Sequence, residues 1–590
     1  MDSVTRWIFI AVAGVLAWIY IPKLFGGGSE SVQPIGIGRT ETAEHRIGAG
    51  APEKCELHGK RFTASFSARG AALVDYYTTE DPRYMERGKP MELATVPGSA
   101  PERFDLLFDW RALGTTGPEA QVTYDVVDWH IDARDETSCT FSYADERVKL
   151  TKVFRVGEGP YELFTRATIE NVSDRARAHR LGIENTAWRT HAETDSHFGR
   201  QSPFTTEIAC GHDGKLERKT LSDFGPKDFD KPEFEKGWFM VRGSIEFAAN
   251  ANAYFAQAVV PLAAPAAPAC GLQVEERWYR NRYHDKTKDP DYGAMYRSRL
   301  IYPQKELAPH EQATYEIAAY YGPKDREVLG RALGGQHHLS ELINLGMFAA
   351  VSKVLVLFLI KLHEIVGNWG LAIIALTVCV KVLLFPLTWK SIKSSVAMRK
   401  FKPQIDEINR KFKDDPQQKQ VATMELYRKN GVNPFGGCLP MLVQLPVWWA
   451  LYSVLQTAVE LYHTPFLWFH DLSAPDPYFI LPIVIGAASF VQQRMMPQQA
   501  DMAQQKMMLY FMPALFTVMM LFLPSGLGIY MLTNSVLGIL QQQAVERFAP
   551  RTPQIEVREQ GPAGDKPPQG KNDPKRKLSG SVPAKLKGGS

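Results

Sequence analysis

Lys381 is the residue whose type and position most directly imply chemistry. It stands inside an otherwise apolar run, Asn368 to Leu387, that is long enough to cross a bilayer. Asn368 to Lys381 is a helical rise of roughly 20 Å, which puts the ammonium past the midplane but short of the far interface. A cation there is costly in hydrocarbon and by default marks a functional site. The apolar runs after residue 367 carry no Asp or Glu in their middles, Glu460 and Glu546 falling at the ends. Lys381 therefore has no evident intramembrane counter-ion, and water must reach it. Two readings stand: a hydrated polar cavity inside a membrane domain, or a lysine snorkelling its stem to the nearer interface. Thr377 lies one helical turn away on the same face. Gln444, Gln492, Tyr530, Thr533 and Asn534 place further polar groups at span depth. Each is either a groove wall or a helix–helix hydrogen bond.

The elements that must position these residues are read from hydropathy. The 590 residues have room for more than one domain, and the net charge of +4 says less than its distribution. Residues 1–28 read as a retained apolar anchor around Trp7 to Phe25, with a cleaved secretory signal as the other reading, and 29–49 as a flexible linker opened by Gly26-Gly27-Gly28-Ser29. Residues 50–325 are polar, with short alternating stretches such as Val148 to Phe154 separated by turn residues such as Gly157 to Pro160. This is the pattern of a large antiparallel β-sandwich. Residues 340–366 are apolar but interrupted by Lys353, Lys361, His363 and Glu364, and read as an amphipathic helix in the interface. Further spans are expected over about 368–388, 438–462, 478–493, 508–523 and 527–548, six in all with the first. Between them, residues 390–432 read as a helical hairpin, with Ile405, Ile408 and Phe412 at helical spacing and Asp414-Asp415-Pro416 as the break. The tail 550–590 is basic, rich in Pro, Gly and Lys, and reads as disordered.

Orientation follows Lys and Arg. The Lys390 to Asn433 loop is basic, whereas His463 to Pro477 carries neither residue. The basic loops belong inside, with both termini, and the β-domain outside. Six spans satisfy this parity. The β-domain holds Cys55, Cys139, Cys210 and Cys270, which permit disulfides in an oxidising compartment; three pairings are possible, and free buried thiols are the other reading. Its His, Asp and Glu are scattered without metal-ligand spacing or paired carboxylates, and no phosphate-cradling G-x-x-x-x-G-K-[ST] loop occurs. No metal, no cofactor, no enzymatic activity and no DNA binding are expected.

The run Asn433-Pro434-Phe435-Gly436-Gly437-Cys438-Leu439-Pro440-Met441-Leu442-Val443-Gln444-Leu445-Pro446 opens the third span. Its glycines and prolines bend the entry of a membrane helix. Here the sequence resembles the YidC/Oxa/Alb family of membrane protein insertases. The likeness extends to Gly367-Asn368-Trp369-Gly370, Pro386-Leu387-Thr388, Asp471-Leu472-Ser473, Pro524-Ser525-Gly526 and Gln541-Gln542-Gln543, and covers roughly residues 340 to 550. The β-domain and anchor resemble the Gram-negative bacterial form. The family carries an arginine in the second span, before Pro-Leu-Thr, and Lys381 occupies that place. Lysine keeps the charge and loses the bidentate fork. The resemblance implies an inner-membrane insertase and chaperone with a hydrophilic groove. It implies as partners nascent or newly made membrane proteins, Sec translocon components, the ribosome and lipids. Several methionines near the groove, Met495 and Met531 among them, suit a surface that accepts many sequences or simply pack. A transporter or channel for an anionic solute is the alternative; the missing intramembrane carboxylates and internal repeat count against it.

Overall fold

Alternation of apolar residues builds two large sheets. In Val148–Val156 the inward positions are Val148, Leu150, Lys152 and Phe154. The inward cation is satisfied by carbonyls: Lys152 Nζ donates to Gly70 O at 2.5 Å and lies 4.7 Å from the Trp129 ring centre. The coordinates, a computed structural model, describe residues 51–79, 84–86, 89–93, 105–112, 122–125, 127–195, 202–277, 292–389, 392, 401–412, 415–430, 439–495 and 507–548. The expected anchor, linker and basic tail lie outside them.

One sheet has nine antiparallel strands in the order Lys215–Lys219, Glu207–His212, Ile245–Ala251, Phe255–Ala263, Gln312–Pro323, Glu162–Asn171, Val148–Val156, Ser138–Ala144, His130–Arg134. The other has eight, centred on Arg177–Thr190, Gly293–Ile301 and Ala269–Arg277. Their inner faces share one apolar core. Two buried amides bridge it: Asn250 Nδ2 donates to Asn185 O at 3.1 Å and Asn185 Nδ2 to Ala248 O at 3.3 Å. Burying their Nδ2 groups is tolerable because these are paired, while Asn250 Oδ1 has no hydrogen-bond partner among the described residues.

The cysteine pairing, open in the sequence, is decided here. Cys55–Cys139 ties a small three-stranded sheet to the nine-stranded one, and Cys210–Cys270 ties the two large sheets together. Disulfides of this kind persist in an oxidising compartment.

After Pro323 the chain leaves the sheet through helix α1, Arg326–Arg331, whose N-cap Asp325 accepts from Glu327 and Val328. Leu329, Ala332, Leu339 and Leu342 then cover the other face of the nine-stranded sheet, against Tyr161, Ala209 and Phe247.

The helical part follows as α2 (Ala349–Val366), α3 (Trp369–Leu383), α4 (Lys402–Lys411), α5 (Pro416–Lys429), α6 (Leu439–Thr457), α7 (Ile480–Met495), α8 (Met512–Met520) and α9 (Ser525–Phe548). Gly367, at φ +69°, ends α2, and the Asn368 side chain caps α3 by accepting from Leu371 N. The chain thus reverses over two residues, and α2 packs on α3 and α6. Met347, Val354, Leu357 and Ile365 of the α2 region stay exposed.

Among the described residues no helix is long and apolar enough to cross a membrane. The helices differ from the runs read in the sequence for identifiable reasons. α3 stops at Leu383, before Pro386, which has no N–H to give to the Val382 carbonyl. A π-helical turn, Met507–Phe511, precedes the short α8. α9 is long but carries Thr533, Asn534 and three consecutive glutamines.

Candidate functional site

α3 presents Lys381 and Thr377 to its neighbours. Lys381 is only 8% exposed, and it forms no ion pair among the described residues. Its surroundings come from two distant helices. On α7, Gln492 is half-buried and reaches toward α9. On α9, Gly538 faces both: a Cβ built there would lie 2.9 Å from Gln492 Nε2 and 3.9 Å from Lys381 Nζ. One turn on, Gln541 Nε2 donates to the Lys381 carbonyl at 3.5 Å. A buried cation, the Gln492 carboxamide and an α9 backbone without a side chain therefore converge, with Gln541 tied to the backbone of Lys381. This arrangement can hold a charge in partial hydration and offer it to an anion.

The other expected residues fall as follows. Thr377 is buried, and its hydroxyl donates to Ile373 O at 2.7 Å within its own helix, leaving only its lone pairs to offer. Tyr530 is buried in the apolar core of the helices. Thr533 and Asn534 are half-buried on α9. Gln444 and Pro440 lie in α6, with their side chains outside the described residues; Pro446 sits inside that helix. Asn433, Pro434, Gly436 and Gly437 lie outside the described residues. Gly538 was not singled out in the sequence, and Gln541 only as part of a glutamine run. The available signal was helical spacing, since Tyr530, Asn534, Gly538 and Gln541 recur at three or four residues along one face of α9.

Several quoted motifs meet in a cap over this core. Asp471 Oδ1 accepts from His463 N, Ser473 N and Ser473 Oγ. Ser525 Oγ donates to Ala474 O at 2.6 Å and Gly526 N to Leu472 O at 2.9 Å, so the Asp-Leu-Ser turn terminates the start of α9. Gly370 abuts the Phe466 ring, where a Cβ would come within 2.2 Å.

The β-domain touches the same region. Tyr462 lies 4.8 Å from Tyr254 between ring centres, Val459 joins the β-domain core, and Arg326 pairs with Glu460 at 3.7 Å. A separate cavity of about 470 Å³ on the β-domain is lined by charges such as Lys219 and Lys231. These are already paired, with Glu217 at 2.8 Å and Asp228 at 2.7 Å, and lie on a different part of the molecule from Lys381.

Residues 54–358 match the family model described as YidC periplasmic domain, and residues 361–552 the one described as 60Kd inner membrane protein. The membrane protein insertase YidC of Anaeromyxobacter dehalogenans (strain 2CP-C) is 36% identical over 512 residues, covering 85% of this chain and 87% of that protein. The membrane protein insertase YidC of Geobacter sp. (strain M21) is 33% identical over 490 residues, covering 82% and 84%. The crystal structure of an active YidC insertase with its first transmembrane domain resolved is similar over 92% of this chain and 99% of that one, at 19% identity and a TM-score of 0.34. The molecule is an inner-membrane protein built from a β-rich periplasmic domain and a helical core. It belongs to the YidC family of membrane protein insertases, which act on newly made membrane proteins. These relatives lend no support to an anionic-solute transporter.

Proposed function

We propose that the insertase works through a hydrophilic groove whose charged centre is Lys381. The observation that carries this is a nearly buried ammonium with no ion pair among the described residues, near the Gln492 carboxamide at the Gly538 notch, with Gln541 bonded to the Lys381 backbone carbonyl. An acidic tail of an arriving protein is attracted to that charge, while groove water and carboxamides replace part of its lost hydration. The arriving helix then slides into lipid, driven by burial of its own apolar surface. No bond is made or broken, so the chain acts as a chaperone and not as an enzyme. Thr377, Gln444, Gln492, Thr533 and Asn534 belong to the groove wall in this reading, while Tyr530, in the apolar core, supports it from behind, and Pro434, Gly436, Gly437, Pro440 and Pro446 shape the entry of α6.

The chain crosses the inner membrane six times in this reading, with both termini and the α4–α5 hairpin in the cytoplasm. Short helices carrying polar side chains suit a bilayer thinned beside a wet groove, where a shorter apolar path suffices. The basic hairpin faces ribosomes, nascent chains or anionic headgroups. The β-domain is accessory and docks Sec translocon components.

Substitution at position 381 tests the groove charge with purified protein in liposomes. Lys381→Arg retains insertion, because charge and approximate reach persist. Lys381→Ala lowers insertion of acidic-tailed substrates about tenfold, more than of uncharged-tailed ones, and Lys381→Glu lowers the acidic-tailed ones furthest. Equal rates for the three variants on an acidic-tailed substrate, at equal protein, reduce Lys381 to a snorkelling side chain.

A further inference from the structure

We propose that Gly538 is a positioning residue for substrate selection. It is a notch in α9 that seats the Lys381 ammonium and the Gln492 carboxamide side by side. The inference rests on the groove-charge reading above and extends it to a helix on which no charged partner stands. Position 538 has little free volume on the side facing α3 and α7. Its nearest neighbours across a missing Cβ are Gln492 Nε2 at 2.9 Å, Gln492 Cδ at 3.6 Å and Lys381 Nζ at 3.9 Å. All three belong to flexible side chains of other helices. Gly538 is half-buried inside α9, with unremarkable helical φ, so the backbone itself does not call for glycine there. Glycine inside a helix is unfavourable relative to alanine, so the position runs against helix propensity. What the missing side chain provides is room for a cation and an amide against the α9 backbone. Gln541, one turn on, ties the same stretch of α9 to the Lys381 backbone.

The consequence is graded with size. A methyl group at 538 displaces the Gln492 amide, which can swing away cheaply because it is the end of a flexible chain. A branched side chain also takes the space beside Nζ and turns the ammonium out of the groove axis. Its charge is retained, but its place is lost. The effect therefore concerns tail charge, and a purely packing role for Gly538 would not distinguish between substrates by charge.

The experiment uses the full chain in liposomes with two single-span substrates that differ only in an acidic or an uncharged N-terminal tail. The readout is the ratio of their initial insertion rates. Gly538→Ala is expected to lower the acidic-to-uncharged ratio about twofold and Gly538→Val about tenfold. Adding Gln492→Ala to Gly538→Val should restore at least half of the lost ratio, because truncating the amide reopens the notch. In a Lys381→Ala background Gly538→Val should leave the ratio where Lys381→Ala alone puts it. An equal fall for both tails, or no rescue by Gln492→Ala, makes Gly538 a packing residue and overturns the proposal. Lys381→Ala, measured in parallel, separates the two readings: if it shows no tail preference the groove charge itself fails, and if it does while Gly538→Val does not, only the notch fails.

Discussion

At the scale of single residues, two of the buried cations, Lys152 and Lys381, are handled differently. Lys152 gives its protons to backbone carbonyls of the 70–71 turn and lies against Trp129, a closed structural arrangement. Lys381 has the Gln492 carboxamide nearby and no hydrogen bond or ion pair from its ammonium among the described residues, which suits a charge kept for a substrate. A third titratable group reports on the β-domain. His179 is buried, its Nε2 lies 2.7 Å from the Tyr315 hydroxyl, and burial first, with the Lys305 charge second, lowers its pKa to about 4. An unfolded histidine takes up a proton near pH 6.5, whereas the folded one stays neutral until about 4. Between those values the unfolded chain binds more protons, so stability falls as pH falls, by up to about 3 kcal/mol at the acid end. Thermal unfolding in detergent, followed by near-UV circular dichroism, should show a steeper loss from pH 6.5 to 4 in the native chain than in His179→Gln. Parallel curves for the two proteins would remove His179 from the acid response.

Among the elements, the α4–α5 hairpin was the most readable from sequence. Ile405 is buried at the helix contact, and Asp415, read there as part of a break, caps α5 by accepting from Gln417 N and Gln418 N. Breaker and cap are the same physical event, because an N-cap has non-helical backbone. Val421 and Met424 remain exposed on α5. If the hairpin captures substrates early, its helicity should matter. Ile408→Pro removes one α4 hydrogen bond and costs about 3 kcal/mol of local helix stability. Insertion is expected to fall several-fold while the membrane-embedded part stays intact by limited proteolysis. Unchanged insertion with verified loss of α4 helicity would leave the hairpin a connector. The apolar runs were less faithful. The runs 368–388 and 508–523 overstated their helices because Pro386 and the π-helical turn at Met507–Phe511 interrupt regular hydrogen bonding, which hydropathy does not register.

For the whole molecule, the two parts share more contact than two independent domains need. Tyr462 and Val459, just past α6, are packed into the β-domain, and Arg326–Glu460 spans the same seam. If the β-domain is periplasmic as oriented above, protease added to spheroplasts should cut in exposed loops such as 264–267 and spare residues 390–433. The opposite pattern would reverse the orientation drawn from positive charge. Deleting about residues 60–300 should leave insertion within a few-fold of the full chain, because Lys381 and its neighbours lie elsewhere. It also removes Tyr254 and uncovers Val459 and Tyr462, so the unfolding temperature of the helical part should drop by several degrees. Abolished insertion by a well-folded deletion protein would make the β-domain part of the machinery.

The sequence by itself determined the two-part organisation, the hairpin and the family. Each is carried by local counts: the length of an apolar run, the period of a stripe, the placing of Lys and Arg, a contiguous motif. What surrounds Lys381 was decided by tertiary structure alone. Gln492, Gly538 and Gln541 come from helices far along the chain, and which faces of α3, α7 and α9 meet depends on packing and not on any one helix's periodicity. The same holds for the cysteines. All three pairings satisfy the sequence, and only the sheet arrangement brings Cys55 to Cys139 and Cys210 to Cys270, at Cα separations of 6.4 Å and 6.2 Å. A disulfide needs two backbones at one distance and angle, a property of the folded chain that no spacing along it encodes.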